Sequence, residues 1–189
     1  MFRRRLFPPP PPGGRLLVRQ ALLRAHQALE RGDSAQAVEI FQRLADGAER
    51  HGMPARASSL RLQAAIAQAS GGQAGAAVEE ARRALAGFAQ QPIHPRVAAT
   101  AERLVTLLRQ GGHASEAARV EQALEETLRR AGLSRQALTE RFAAARGQQR
   151  GQLPAKCPSC AAPLLPDEVE WHGPDTAECP YCSAAVKTA

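Results

Sequence analysis

Four cysteines sit in the last third of this chain as two matched pairs, Cys157-Pro-Ser-Cys160 and Cys179-Pro-Tyr-Cys182, and they are all the cysteines it has. A two-residue gap turns both sulfurs of a pair toward one point. Two such pairs place four thiolates where they can satisfy a tetrahedral Zn²⁺ ion, at a Zn–S distance of about 2.3 Å. Proline at the second place of each pair, Pro158 and Pro180, presets a tight turn that aims backbone N–H groups at the sulfurs. Four sulfurs fill the coordination shell and leave no position for water or substrate, so the spacing points to a structural metal rather than a catalytic one. An iron centre of the rubredoxin kind uses a similar sulfur set, and a thiolate cluster that releases zinc on oxidation would serve as a redox or metal sensor; both stand as alternatives. In a reducing compartment, paired cysteines of this spacing are more often ligands than disulfides. A cytoplasmic protein, of bacterial type by its arginine-rich and alanine-rich composition, is expected.

Between the pairs, Asp167–His172 alternates, with Val169 and Trp171 on one side and Glu168, Glu170 and His172 on the other. That pattern reads as a strand with one covered face. Gly173-Pro174-Asp175 is a turn, Thr176–Glu178 the returning strand, and Ala184–Lys187 a third strand. These features resemble a zinc ribbon, in which two cysteine knuckles pinch one ion and a small sheet joins them. In that family glycine usually follows the second cysteine of each pair. Here Ala161 and Ser183 stand there, which implies strain in the knuckle turns. His172 could replace a cysteine as ligand, but four sulfurs make it superfluous. Trp171 and Tyr181 are the only Trp and Tyr of the chain. Trp171 could be a stacking platform for a base or partner, or could simply pack the sheet. A module of about 35 residues buries too little apolar surface to fold unaided, so the metal supplies the missing free energy.

What must position this module is helical. The chain has 189 residues, rich in alanine and leucine, and aromatics make up only 4%, which favours helices packed through small side chains. Gly32, Gly72 and Gly112 fall forty residues apart, each between helical stretches. Alignment on them brings Ala37, Ala77 and Ala117 into one column, and Val38, Val78 and Ala118 into the next. Leu44, Ala84 and Leu124 form a third and Ala48, Phe88 and Leu128 a fourth. Upstream, Ala25, Ala65 and Val105 align. Such columns fall on one helix face. The expected helices are 15–31 with 34–51, 54–70 with 73–90, and 95–110 with 114–131, and a seventh at 134–147 closes the stack. Pro54 and Pro95 open their helices, and Ser34, Ser115 and Ser134 are candidate caps.

These residues resemble tetratricopeptide (TPR) repeats, in which a small residue of the first helix is followed twelve positions later by alanine and an aromatic four further on. The first unit shows Ala25, Ala37, Phe41 and Leu44; the second Ala65, Ala77, Ala81 and Ala84; the third Val105, Ala117, Glu121 and Leu124. The period of forty exceeds the family's 34, the large aromatic of its first helix is missing, and Glu121 breaks the aromatic column. The resemblance implies a mainly α fold, an antiparallel helix-pair solenoid of about seven helices with a surface that holds partner proteins, followed by the small β module.

The expected domains are a basic, proline-rich tail at 1–14, the helical repeat domain at 15–147, a linker at 148–155 that lets the ribbon move, and the ribbon at 156–189. In the tail, Arg3, Arg4 and Arg5 precede five prolines that form an extended rod, with Gly13 and Gly14 as a flexible joint. It could dock on a protein, lipid or nucleic acid, or stay a solubilising end. It lacks an apolar core and a cleavage site, so it does not read as a signal peptide. No apolar run reaches the roughly 18 to 20 residues that span a membrane.

The formal net charge is +7, yet the ribbon carries two lysines, Lys156 and Lys187, against five acids, Asp167, Glu168, Glu170, Asp175 and Glu178. Nucleic-acid binding needs clustered positive charge, which makes it the alternative rather than the leading reading. His26, His51, His94 and His113 are scattered with no paired acid, and no phosphate loop, nucleophile elbow or His-Glu zinc helix is present. The expectation is therefore a non-enzymatic interaction adaptor with one structural zinc and a protein partner on its helices.

Overall fold

The structure, a computed structural model, describes residues 12–88, 95–137, 151–166, 169–173 and 175–188. It is mainly helical with a small C-terminal sheet. The helices are α1 (Pro12–Glu30), α2 (Ser34–Arg50), α3 (Pro54–Ser70), α4 (Ala74–Gly87), α5 (Pro95–Gln110) and α6 (Ala114–Arg130). Residues 135–137 are again helical; the rest of the expected seventh helix lies outside the described residues, as do Arg3, Arg4 and Arg5. Three short strands follow, β1 (Glu170–Trp171), β2 (Thr176–Glu178) and β3 (Ala185–Lys187).

One local device ends helix after helix. After α3, Gly72 takes φ +75, its N–H donates to the Ala69 carbonyl at 3.0 Å, and the Gln73 N–H reaches back to the Gln68 carbonyl at 2.9 Å. This double bond satisfies carbonyls that a helix end leaves orphaned, and it needs a left-handed residue that only glycine adopts without strain. The same pair of bonds, with a positive-φ glycine, recurs at Gly32, Gly52, Gly112 and Gly132. Gly32, Gly52 and Gly72 thus stand twenty residues apart, as do Gly112 and Gly132, with forty residues between Gly72 and Gly112, so within the forty-residue period some links between hairpins are built like the turn within them. Five residues after each of these glycines stands an alanine: Ala37, Ala57, Ala77 and Ala117 are all at most 1% exposed and Ala137 is half-buried, and the smallest side chain that keeps helix propensity lets the next helix approach closely.

The caps differ in detail from expectation. Asp33, not Ser34, caps α2: its carboxylate accepts from the Gln36 N–H at 3.0 Å, and Ser34 is the first helical residue. A carboxylate reaches the free N–H groups as well as a hydroxyl and also complements the helix dipole. Ser115 lies inside α6 and donates to its neighbour Glu116 at 2.6 Å; His113 takes the cap position without a side-chain bond. Ser134 does cap, accepting from the Ala137 N–H at 3.1 Å. Gly13 and Gly14 are not a joint outside the first helix: α1 already starts at Pro12, since proline is tolerated in a first turn.

Neighbouring helices pack in sequence, α1 on α2, α2 on α3, α3 on α4 and α5 on α6, and α3 also meets α5 while α4 meets α6. The aligned columns form the core: Ala25, Ala37, Phe41, Ala65, Ala77, Ala81, Ala84, Val105, Ala117 and Leu124 are buried. Glu121, where the aromatic column breaks, instead pairs with Arg109 at 2.8 Å. In the adjacent column Val78 is buried but Ala118 is exposed. Arg61 of α3 bridges three helices. Its guanidinium donates to Asp46 (3.0 Å) and Glu49 (3.1 Å) of α2 and to the buried Glu80 of α4 (3.0 Å). In the sheet β2 lies between β1 and β3, antiparallel to both, with Trp171 opposite Ala177 and Ala177 opposite Val186.

Candidate metal centre

The four cysteines converge. Their sulfurs all lie within 4.8 Å of one another, and all four residues are buried. Cys157 Sγ is 3.8 Å from Cys182 Sγ, and Cys160 Sγ is 3.7 Å from Cys179 Sγ. The edge of a tetrahedron of sulfurs around an ion at 2.3 Å is about 3.8 Å, whereas a disulfide requires sulfurs at about 2.05 Å; the thiols are free. The donor set therefore fits one tetrahedral ion.

The two knuckles are copies of one another. The Cys157 N–H donates to the Ala162 carbonyl and the Ala161 N–H to the Cys157 carbonyl, both at 2.8 Å. Cys179, Ala184 and Ser183 repeat the pattern, both bonds at 2.9 Å. The close sulfur pairs are those that a twofold exchange of knuckles would interconvert. Ala161 and Ser183 both take φ +56, the left-handed backbone that the missing glycines forecast and that costs a residue with a Cβ about 1–2 kcal/mol. The Ser159 N–H points at Cys157 Sγ, 3.4 Å away, one of the outer contacts that hold a ligand sulfur in place.

Charge explains why this cluster calls for a cation. Hydrogen bonding to Cys179 and Cys182, then burial, pushes the Cys160 thiol well above the ordinary thiol range. Hydrogen bonding to Cys160 and then Cys179 instead holds the Cys182 thiol well below that range, so the four groups do not ionise alike by themselves, and a bound cation makes several adjacent thiolates compatible in one buried site. With protein sulfur at all four corners, such an ion has no open position to activate water.

The other candidate residues lie away from the sulfurs. His172 pairs with Glu178 at 3.1 Å through Nε2 and is not a fifth donor. Trp171 is half-buried, and its indole N–H donates to the Pro166 carbonyl at 3.0 Å.

What the residue pattern did not forecast is where the second knuckle goes. Tyr181, only 6% exposed, is inserted among the helices. Its hydroxyl accepts from Gln63 Nε2 at 3.0 Å, and its backbone carbonyl accepts from the Arg56 guanidinium at 3.0 Å. His26 of α1 meets its ring edge-on with centroids 5.6 Å apart, and Phe41 stands on the other side of that imidazole at 5.4 Å. Cysteines, Leu164, Tyr181 and Val186 share one continuous core with Leu22, Ala25, Ala57, Leu60 and Ala64 of the helices. Lys156 and Glu30 close the edge with an ion pair at 2.6 Å. Gly151, at the end of the expected linker, lies so close against Thr188 that a Cβ there would collide with it. A ribbon free to move on its linker was the expectation; this structure seats it on the helices, because a lone buried tyrosine and an alanine-lined face complement each other.

His26 is part of that contact. Burial lowers its pKa from 6.5 to about 4, and its Nε2 has no hydrogen-bond partner among the described residues. No helix among the described residues is long and apolar enough to cross a membrane. No known protein-family model, curated protein or solved structure matches this chain.

Proposed function

We propose that this chain is a non-enzymatic protein–protein interaction adaptor of the cytoplasm, a TPR-like solenoid of helix pairs that carries a zinc ribbon with one structural Zn²⁺. The observation that carries the reading is the sulfur geometry: four buried thiols within 4.8 Å of one another, two of their separations at the tetrahedral edge length, fit a closed site that would hold a fold together and leave no place for chemistry. The recurrence of one helix-end device at five helix ends, Gly32 to Gly132, supports a stacked-repeat scaffold, whose usual work is to hold other proteins. Zinc is preferred over iron because rubredoxin-like sites carry more aromatics around the metal, whereas Trp171 and Tyr181 are the only Trp and Tyr of this chain, and a module of this size needs a metal to fold.

Binding to nucleic acid is the weaker reading. Many helix arginines already face carboxylates, as in Arg109–Glu121, Arg119–Glu79 and Arg130–Glu126, so the net positive charge is not gathered into a stripe that tracks phosphates. Affinity capture of the intact, zinc-counted protein with chemical cross-linking separates the two. The adaptor reading expects a defined protein cross-linked to the helical part. Retention on immobilised DNA or RNA that falls steeply with salt, with no protein captured, contradicts it.

A further inference from the structure

We infer that the second cysteine knuckle is a detachable ligand of the chain's own helices, and that the bound metal decides whether the helical face beneath it is covered. The inference rests on the metal reading of the previous section and goes beyond it to the control of the helical surface.

The knuckle contacts the first helices of two pairs and shares a gap with that of the third. His26 belongs to α1, and Arg56 and Gln63 to α3. Val97 and Thr100 of α5 stand with Pro180 and Tyr181 around a residual gap of about 10 Å³, too small for more than one water. One turn of four residues, Cys179–Cys182, thus covers the surface these helices share, and repeat scaffolds take their partners on such shared faces. The contact is built as recognition rather than as general apolar burial: an aromatic anchor among His26, Leu62, Gln63 and Val97, its hydroxyl and its carbonyl each bonded by a side chain.

Both ends of that turn are metal-site sulfurs. Tyr181 lies between Cys179 and Cys182, so its position is fixed only while the sulfurs are held together. Ser183, held at φ +56, adds strain that favours release once the ion is gone. Loss of the metal, to a chelator or a competing metal-binding protein, frees the turn without any covalent change. Two separate apolar cores decide what happens next. One joins α1, α2 and part of α3 to the ribbon; the other joins α3 to α6 and contains no ribbon residue. Metal loss therefore bares α1 and the first half of α3, and leaves α5 and α6 packed.

The test is hydrogen–deuterium exchange of the full-length chain, with its metal content counted, before and after stripping with a zinc chelator. Exchange in α1 and in the Pro54–Gln63 part of α3 is expected to speed up roughly tenfold or more, with α6 unchanged. Tyr181→Ala, a variant that keeps all four sulfurs, is expected to hold one metal per chain and still to show the faster exchange in α1 and α3. Unchanged α1 and α3 on stripping overturns the inference, and so does α6 opening together with them, because the metal would then hold the whole fold. A metal-loaded Tyr181→Ala chain as protected as wild type overturns it as well. A full-length chain that takes up no metal sinks the zinc reading itself, which the metal count distinguishes from the other failures.

Discussion

The helical stack and the ribbon are stable for opposite reasons. Most helix ends among the described residues share one local solution: a glycine in the left-handed region and two back-bonds to the preceding turn. Such an end is satisfied by residues next to it in the chain and forms locally. The ribbon has three strands of two or three residues and almost no local propensity to hold it. Its order comes from four sulfurs brought together across the sequence and from the core it borrows from α1 to α3. A repeat tolerates the loss of one contact, whereas a metal-centred module does not.

Breaking the metal site gives the largest difference. Cys160→Ser, or removal of the ion, forfeits metal-binding free energy on the order of 10 kcal/mol at neutral pH. The ribbon should unfold while most helical circular dichroism survives, and metal analysis with a thermal scan checks both. A smaller effect, confined to the other region, is expected of Arg61→Ala. It leaves the buried Glu80 carboxylate with only the longer pair to Arg83 at 3.7 Å and should cost about 3 kcal/mol in denaturant unfolding, with the metal count unchanged.

The junction between the two regions is sensitive to acid. Folded His26 titrates near 4, whereas an unfolded histidine titrates near 6.5. As pH falls from 6.5 toward 4 the unfolded chain takes up the proton first, so stability present above 6.5 is lost through that window, up to about 3 kcal/mol. Unfolding midpoints at pH 7 and 5 in excess zinc should show a larger loss for wild type than for His26→Gln, in which only the loss common to both chains, from the sulfurs, remains. The smallest effect sharpens the comparison: Ala161→Gly and Ser183→Gly relieve left-handed strain and should stabilise the ribbon by about 0.5–1 kcal/mol each, read as slower zinc release to a chelator.

The same contrast governs what the residues disclosed in advance. Helix limits came out within a few residues because their signals, Gly72 or Pro54, act over one turn of chain. The convergence of the four cysteines was legible because number and spacing alone specify it, and the left-handed backbone at Ala161 and Ser183 followed from a missing glycine. Gly52 and Gly132 also mark helix ends, but an alignment by forty-residue pairs passes over a signal that falls between its columns. The seating of Tyr181 against His26 and Gln63 had no local signature: the partners are more than a hundred residues apart in the chain, and one tyrosine after a proline reads the same whether it faces solvent or a pocket. Arg61 was hidden likewise, since its three acids come from two other helices.

X-ray absorption at the zinc edge of the purified full-length protein tests the central claim most directly. A shell of four sulfurs at about 2.3 Å, with no nitrogen or oxygen scatterer, is the expected result. A shell that contains a light atom in place of a sulfur would mean an open position at the metal, and would contradict the closed, non-catalytic site on which the account stands.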